Sequence, residues 1–243
     1  MIIIEHKFCL KVQKPGESCF LISRVNGANF TGLCYHQNLV AWRKNLSVIR
    51  AFIAVDLSPE IQKRLDEVSR QLMAVLGTAS LRWVPVKNIH LTLKFLGDVS
   101  LANLEILKKI MQAEAERVEA FEISVGQIGA FPSASRPRVL WAGVQAPEQL
   151  GELQKSLESE IALVGYPPEE RALSPHLTLA RVTRTALPGD LRKIKEAIEK
   201  ANVGFLGITR IEAVHLYQSD LHSGGAVYTR LYSAPLIKTS STR

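Results

Sequence analysis

The chain has 243 residues, 47% of them hydrophobic and 22% charged, with 15 Gly and 11 Pro, a balance that excludes disorder, collagen-like repeats and coiled coil. The length suits one large domain or two small ones, with a core that needs no metal or disulfide to stand. A formal charge of +7 points on its face to an anionic partner such as nucleic acid, yet residues 1–47 hold six basic side chains against two acidic ones, more than half the excess.

All three cysteines, Cys9, Cys19 and Cys34, fall in the same first segment. An odd count without CxxC spacing favours neither a disulfide framework nor a zinc site, and it suits a reducing cytosol and a cytoplasmic location. The opening Met1-Ile2-Ile3-Ile4-Glu5-His6-Lys7 has its apolar run before the charge and is too short for a secretory signal. No window approaches the apolar length of a membrane span.

Structure begins clearly at Val48. The run Ile49-Arg50-Ala51-Phe52-Ile53-Ala54-Val55-Asp56-Leu57 reads as a buried strand, closed by Ser58-Pro59. Ser58 is an N-cap with Pro59 in the first turn, and Ile61, Leu65, Val68, Leu72 and Leu76 recur at helical spacing up to Gly77. Residues 89–96 alternate as a strand, 101–119 form a second helix, and 121–131 a further strand that ends in a loop carrying Arg136 and Arg138.

The second half repeats the plan: a strand at 139–144, a helix opened by Pro147, a strand at 174–182, a helix near 189–201 and a strand from about Ile208. That last strand is expected to run on through 214–221 into a glycine turn and a closing strand at 226–232. Pro59 and Pro147 are 88 apart, and His90 and His176 are 86 apart. Two copies at so long a period indicate a duplicated lobe rather than a solenoid. Residues 1–47 have no counterpart in the repeat and show no helical or strand periodicity.

The tetrapeptide His-Leu-Thr-Leu occurs at corresponding places in both halves, at His90-Leu91-Thr92-Leu93 and His176-Leu177-Thr178-Leu179. On a strand, alternate side chains share a face, so each His and Thr look one way and the leucines the other. If a pseudo-twofold axis relates the lobes, two imidazoles and two hydroxyls converge on one volume suited to a phosphate. One neutral His takes a proton from the nucleophile and one protonated His gives a proton to the leaving oxygen, which an unperturbed pKa near 6.5 allows. The Thr hydroxyls hydrogen-bond non-bridging oxygens. The bland alternative, a structural relic of duplication, should preserve core leucines at least as well as the polar pair, whereas the halves elsewhere share pattern rather than identity. Metal binding lacks the usual carboxylate or Cys companions.

These residues resemble the two-histidine (2H) phosphoesterase superfamily, and within it the bacterial and archaeal RNA 2′,3′-cyclic phosphodiesterases, also called 2′-5′ RNA ligases. The resemblance rests on Arg50-Ala51-Phe52-Ile53-Ala54-Val55-Asp56, on the segment from Asn88 to Gly97 around His90, on Pro175-His176-Leu177-Thr178-Leu179-Ala180-Arg181, and on the closing hairpin. It implies a bilobal α+β fold in which two pseudo-twofold-related lobes, each with an antiparallel sheet and helices, enclose a catalytic cleft. It implies hydrolysis of an RNA terminal 2′,3′-cyclic phosphate to a 2′-phosphomonoester, without metal or cofactor, with His90 the proton donor, His176 the acceptor, and Thr92 and Thr178 holding the phosphate.

Arg181 reads equally as a phosphate ligand and as a strand-end surface residue, Phe95 as a base-stacking platform or, more readily, a core residue. Arg136 and Arg138 read as RNA contacts or as a solvated loop, and His215 and His222 as structural or exposed. The expected partner is RNA, or a nucleotide, with a 2′,3′-cyclic phosphate end, acted on by a monomer away from any membrane. Alternative readings are 2′-5′ ligation, a small cyclic-nucleotide phosphodiesterase, and a noncatalytic RNA-binding module. The expected organisation is an extension at 1–47 without a catalytic role, arising from an upstream start codon, a duplicated domain at 48–236 with intertwined lobes, and a tail at 237–243.

Overall fold

A computed structural model describes residues 20–25, 28–33, 48–222 and 225–238. The chain divides into two compact units, 1–47 and 48–243. The first contains an antiparallel pair, β1 (Phe20–Val25) and β2 (Ala28–Leu33), in register from Phe20 opposite Leu33 to Val25 opposite Ala28. This differs from the expectation of no strand character there. The Asn26-Gly27 dipeptide between the strands is the sequence signal for a two-residue hairpin. The three cysteines lie outside the described residues.

The second unit is built in chain order from β3 (Val48–Val55), α1 (Pro59–Leu76), β4 (Leu81–Trp83), β5 (Leu91–Ser100), α2 (Leu104–Ala115) and β6 (Phe121–Phe131). There follow β7 (Val139–Gln145), α3 (Glu148–Ala162), β8 (His176–Val182), α4 (Pro188–Lys200), β9 (Phe205–Ile211), β10 (Ala213–His222) and β11 (Gly225–Pro235). Ser58 caps α1 as expected: its hydroxyl accepts from the Ile61 amide, Pro59 opens the first turn, and Gly77 closes the helix at φ 70° with its amide donating to the Met73 carbonyl.

Two antiparallel sheets result, ordered β11-β10-β3-β5 and β4-β8-β7-β6-β9. Strands from the first part of this unit (β3 to β6) and from its later part (β7 to β11) enter both sheets. Motif strand β5 lies beside β3, and motif strand β8 beside β7, which is the sheet-level form of the repeat seen in the sequence.

The expected single strand from Ile208 to Leu221 is instead two strands in different sheets. β9 pairs with β6 and β10 with β3, with Glu212 between them. The alternation changes phase there: Thr209 and Ile211 are buried on one side of the break, Val214 and Leu216 on the other. Beyond β11, Ile237 is tied to the backbone of Val118 and Ala120 by two hydrogen bonds.

One apolar core joins Leu91 and Leu93 to Leu177 and Leu179, together with Ile53 and Val55 of β3, Leu65 of α1, Leu107 of α2 and Leu153 of α3. Sealing both leucine pairs into the same core fixes the register of β5 and β8, because a slip of one residue would turn the leucines out and the polar pair in. A smaller cluster, Leu81, Leu140 and Ala180 with Ile194 of α4, covers the outer part of the second sheet.

Among the described residues a buried ion pair joins β5 to α3. Lys94 on β5, 1% exposed, donates to Glu158 on α3 and to the Pro167 carbonyl at 2.9 Å. Glu158 also accepts from Gln154 and from the amide of Glu169.

Candidate active site

His90 immediately precedes β5 and His176 opens β8. Each imidazole is held the same way: Nδ1 of His90 lies 2.8 Å from the carbonyl oxygen of Asn88, and Nδ1 of His176 2.7 Å from that of Ser174. A carbonyl only accepts, so Nδ1 carries the hydrogen in both rings and Nε2 is left as the atom that gives or takes a proton. Asn88 is itself buried and donates from its side chain to the Ala226 carbonyl at 2.7 Å, which ties the turn holding His90 to the β10–β11 hairpin.

Both motif strands carry a one-residue bulge at the same place. Lys94 and Thr92 pair with the consecutive residues Ile53 and Ala54, leaving Leu93 over, and Ala180 and Thr178 pair with Leu140 and Trp141, leaving Leu179 over. A bulge puts the extra residue out of step, so the residue three after each Thr returns to the polar face. Those residues are Phe95 and Arg181. Phe95 is 59% exposed rather than in the core, and with Tyr166 and Arg171 it lines a hollow of about 540 Å³.

The two histidines differ in surroundings. His90 stacks on Phe52 with ring centroids 4.6 Å apart and meets the edge of Tyr228 at 5.3 Å; Phe52 in turn stacks on Tyr217 at 5.4 Å. This enclosure strips water from the ring and pulls the His90 pKa down from 6.5 to about 4, with the Asn88 carbonyl and the Asp56 carboxylate opposing and the Arg181 charge adding to the fall. The expectation of an unperturbed His90 is therefore corrected, and desolvation is the cause. His176, half-buried as His90 is, meets a single aromatic side chain among the described residues, the edge of Phe131 at 4.9 Å.

Arg181 comes from the second sheet, yet its charge acts on two groups of the first: it adds to the burial-driven fall of His90, and it opposes the burial that raises the Tyr228 hydroxyl. The cleft thus brings His90, Tyr228 and Arg181 into one field. Thr92 and Thr178 are half-buried on the polar face of their strands. Beside His90 a cavity of about 300 Å³ opens, lined by Phe52, Asp56, Tyr217, Tyr228, Arg230 and Lys87 among others.

Asp56 anchors a network on this face. Its carboxylate accepts from the Tyr217 hydroxyl at 2.7 and 2.9 Å and from Arg230, and His215 Nε2 lies 3.6 Å away. Burial and the acceptor carboxylate push the Tyr217 hydroxyl up to about 12, and burial lowers His215, whose Nδ1 contacts the Ser233 hydroxyl at 2.9 Å. Phe52 on β3, Tyr217 on β10, and Tyr228 and Arg230 on β11 lie in the segments that carry the resemblance, but sequence reasoning does not single them out as site residues. His222 is exposed at the end of β10. Among the described residues no group of three or more His, Cys, Asp or Glu side chains is placed to hold a metal, and no helix is long and apolar enough to cross a membrane.

Two antiparallel sheets, one carrying Thr92 with His90 just ahead of its motif strand and the other carrying His176 and Thr178, are the arrangement of a two-lobed phosphoesterase. The family model described as LigT-like phosphoesterase matches this chain twice, over residues 55–141 and 143–228, and the chain belongs to that family. It is 35% identical over 181 residues, 74% of this chain and 95% of the relative, to the RNA 2′,3′-cyclic phosphodiesterase of Methanothermobacter thermautotrophicus. It is 29% identical over 76% of its length to the protein of the same name from Aquifex aeolicus, of which the match spans 95%. Among solved structures, TT0787 of Thermus thermophilus superposes with TM-score 0.65 at 27% identity, covering 79% of this chain and all of that one. Escherichia coli LigT complexed with 3′-AMP superposes with TM-score 0.63 at 25% identity, covering 78% and 99%.

Proposed function

We propose that this chain is an RNA 2′,3′-cyclic phosphodiesterase that converts a terminal cyclic phosphate to a 2′-phosphomonoester. The observation that carries the reading is the matched pair of imidazoles, each with Nδ1 committed to a carbonyl two residues upstream and Nε2 free, in a chain whose relatives bear that name.

In the proposed reaction a water oxygen attacks phosphorus while His176 Nε2 takes its proton. The bond from phosphorus to the 3′-oxygen breaks as His90 Nε2 gives that oxygen a proton, leaving a 3′-hydroxyl and a 2′-phosphate. Thr92 and Thr178 donate hydroxyl hydrogens to the non-bridging oxygens, where charge accumulates, and the Arg181 fork is a further donor. Phe95 offers a ring face for a base. In the free protein burial keeps His90 neutral near pH 7. The proton it needs as donor is stabilised by the anionic phosphate beside Nε2, with Asp56 favouring the charged ring, so that substrate binding loads the acid.

The test is incubation with an RNA ending in a 2′,3′-cyclic phosphate, in EDTA, followed by product analysis. The reading predicts a 2′-phosphate as sole product. Binding without turnover would favour a noncatalytic module, and a joined 2′-5′ product would favour ligation.

A further inference from the structure

Residues 48–243 contain 24 basic and 21 acidic side chains, a nearly balanced set. The balance conceals a segregation. Segments 77–97, 123–147 and 171–189, which hold β4, the start of β5, most of β6, β7 and β8, contain eight Lys and Arg and no Asp or Glu. The remainder of the unit therefore has sixteen basic against twenty-one acidic residues.

The fold gathers five of these arginines at one end of the second sheet. Arg82 on β4 lies directly opposite Arg181 on β8, and Arg181 is also opposite Val139 at the start of β7. Leu81, Leu140 and Ala180 turn to the other side and pack on Ile194 of α4, so Arg82 and Arg181 face away from that helix, on the side that carries Thr178. Arg138 is anchored at the same end by its carbonyl, which accepts from the Val182 amide at 2.9 Å. Arg136 and Arg184 flank it on the adjoining loops, and all five side chains are exposed. Among the described residues none of the five has a carboxylate at ion-pair distance. Like charges placed opposite each other on a ladder repel, and an anion between Arg82 and Arg181 reverses that penalty.

We infer that this arginine end of the second sheet is a track for the phosphodiester backbone of a single-stranded RNA whose cyclic end occupies the cleft. The inference rests on the proposed reaction and extends it: the substrate is an oligonucleotide, and the nucleotides before the terminal one contribute to binding through their phosphates. Exposed guanidiniums matched to phosphate oxygens recognise backbone without regard to sequence. Arg181 joins the track to the reacting phosphate, since its charge already reaches His90.

The experiment measures anisotropy of a short 5′-labelled RNA ending in a 3′-phosphate, over a salt series, for the wild-type full chain, Arg82→Gln, Arg184→Gln and a control, Lys155→Gln on the outer face of α3. In parallel it measures kcat/KM for the same RNA ending in a 2′,3′-cyclic phosphate and for a cyclic mononucleotide. The expected result is several-fold weaker RNA binding in both arginine variants, with the slope of log affinity against log salt reduced by about 0.7 for each phosphate no longer neutralised. Turnover of the RNA falls in step while that of the mononucleotide and the control variant stay within about twofold, the scatter expected of sites outside the track. Unchanged RNA binding in both arginine variants overturns the inference, and so does an equal loss on the mononucleotide. Absence of turnover of either substrate by the wild type counts against the proposed reaction, and the binding series then decides the track by itself.

Discussion

The imidazole of His90 donates from Nδ1 to the carbonyl oxygen of Asn88, 2.8 Å away, and this one bond leaves Nε2 as the nitrogen that the proposed reaction uses. His176 makes the same bond to Ser174 at 2.7 Å. That shared bond makes the two rings alike in orientation, while only His90 is enclosed by Phe52 and Tyr228.

That enclosure couples folding to pH. The folded-state pKa of His90, about 4, lies below the ordinary 6.5, so between those values the unfolded chain binds more protons. The contribution is fully present above about pH 6.5 and is lost as pH falls toward 4, by about 3 kcal/mol for this group. Urea titrations at pH 7 and pH 4.5 should show His90→Gln losing less stability on acidification than the wild type. Equal losses would show that His90 is not held neutral by burial.

Loading of the acid is measurable directly. In a His176→Ala variant, which spares the ligand, a cyclic mononucleotide should bind more tightly as pH falls from about 7 to about 5, bounded at tenfold per unit by one proton taken up. Calorimetry in buffers of different ionisation enthalpy should report uptake of part of a proton. A pH-independent affinity with no uptake would remove His90 from the donor role.

The Lys94–Glu158 pair spans the core between β5 and α3. Lys94→Met or Glu158→Leu alone leaves one charge buried without its partner and should cost about 3–5 kcal/mol. The double replacement should recover most of that loss in chemical denaturation. A double variant as unstable as either single one would show that the pair is intrinsically stabilising.

Gly129 lies opposite Trp141, and a Cβ there would fall 2.3 Å from the indole Cζ2. Gly129→Ala should displace the ring and cost about 1–3 kcal/mol. Because Trp141 packs on Phe131, which meets His176, a shift in tryptophan fluorescence should accompany reduced turnover. Wild-type stability and emission would contradict this packing.

The doubled His-x-Thr, the Ser58 cap and the leucine periodicity were legible because each follows from short-range chemistry. The place of Phe95 was not. Strict alternation from Thr92 sends residue 95 to the leucine face, and only the bulge at Leu93 returns it to the polar face; the matching bulge at Leu179 does the same for Arg181. The depressed pKa of His90 was equally hidden, since its aromatic enclosure comes from β3 and from Tyr228 on β11, far away in sequence. The phase change at Glu212 was present in the alternation, but a residue count alone does not say that the chain leaves one sheet for another.

In the proposed reaction His90 and His176 each carry one proton transfer, to the leaving oxygen and from water respectively. That division is tested most directly by turnover of a 2′,3′-cyclic-phosphate RNA by His90→Ala and His176→Ala beside the wild type, with folding of each variant verified. The account predicts that each substitution lowers kcat by about 10²–10⁴ while the RNA still binds. Wild-type kcat in either variant would contradict it.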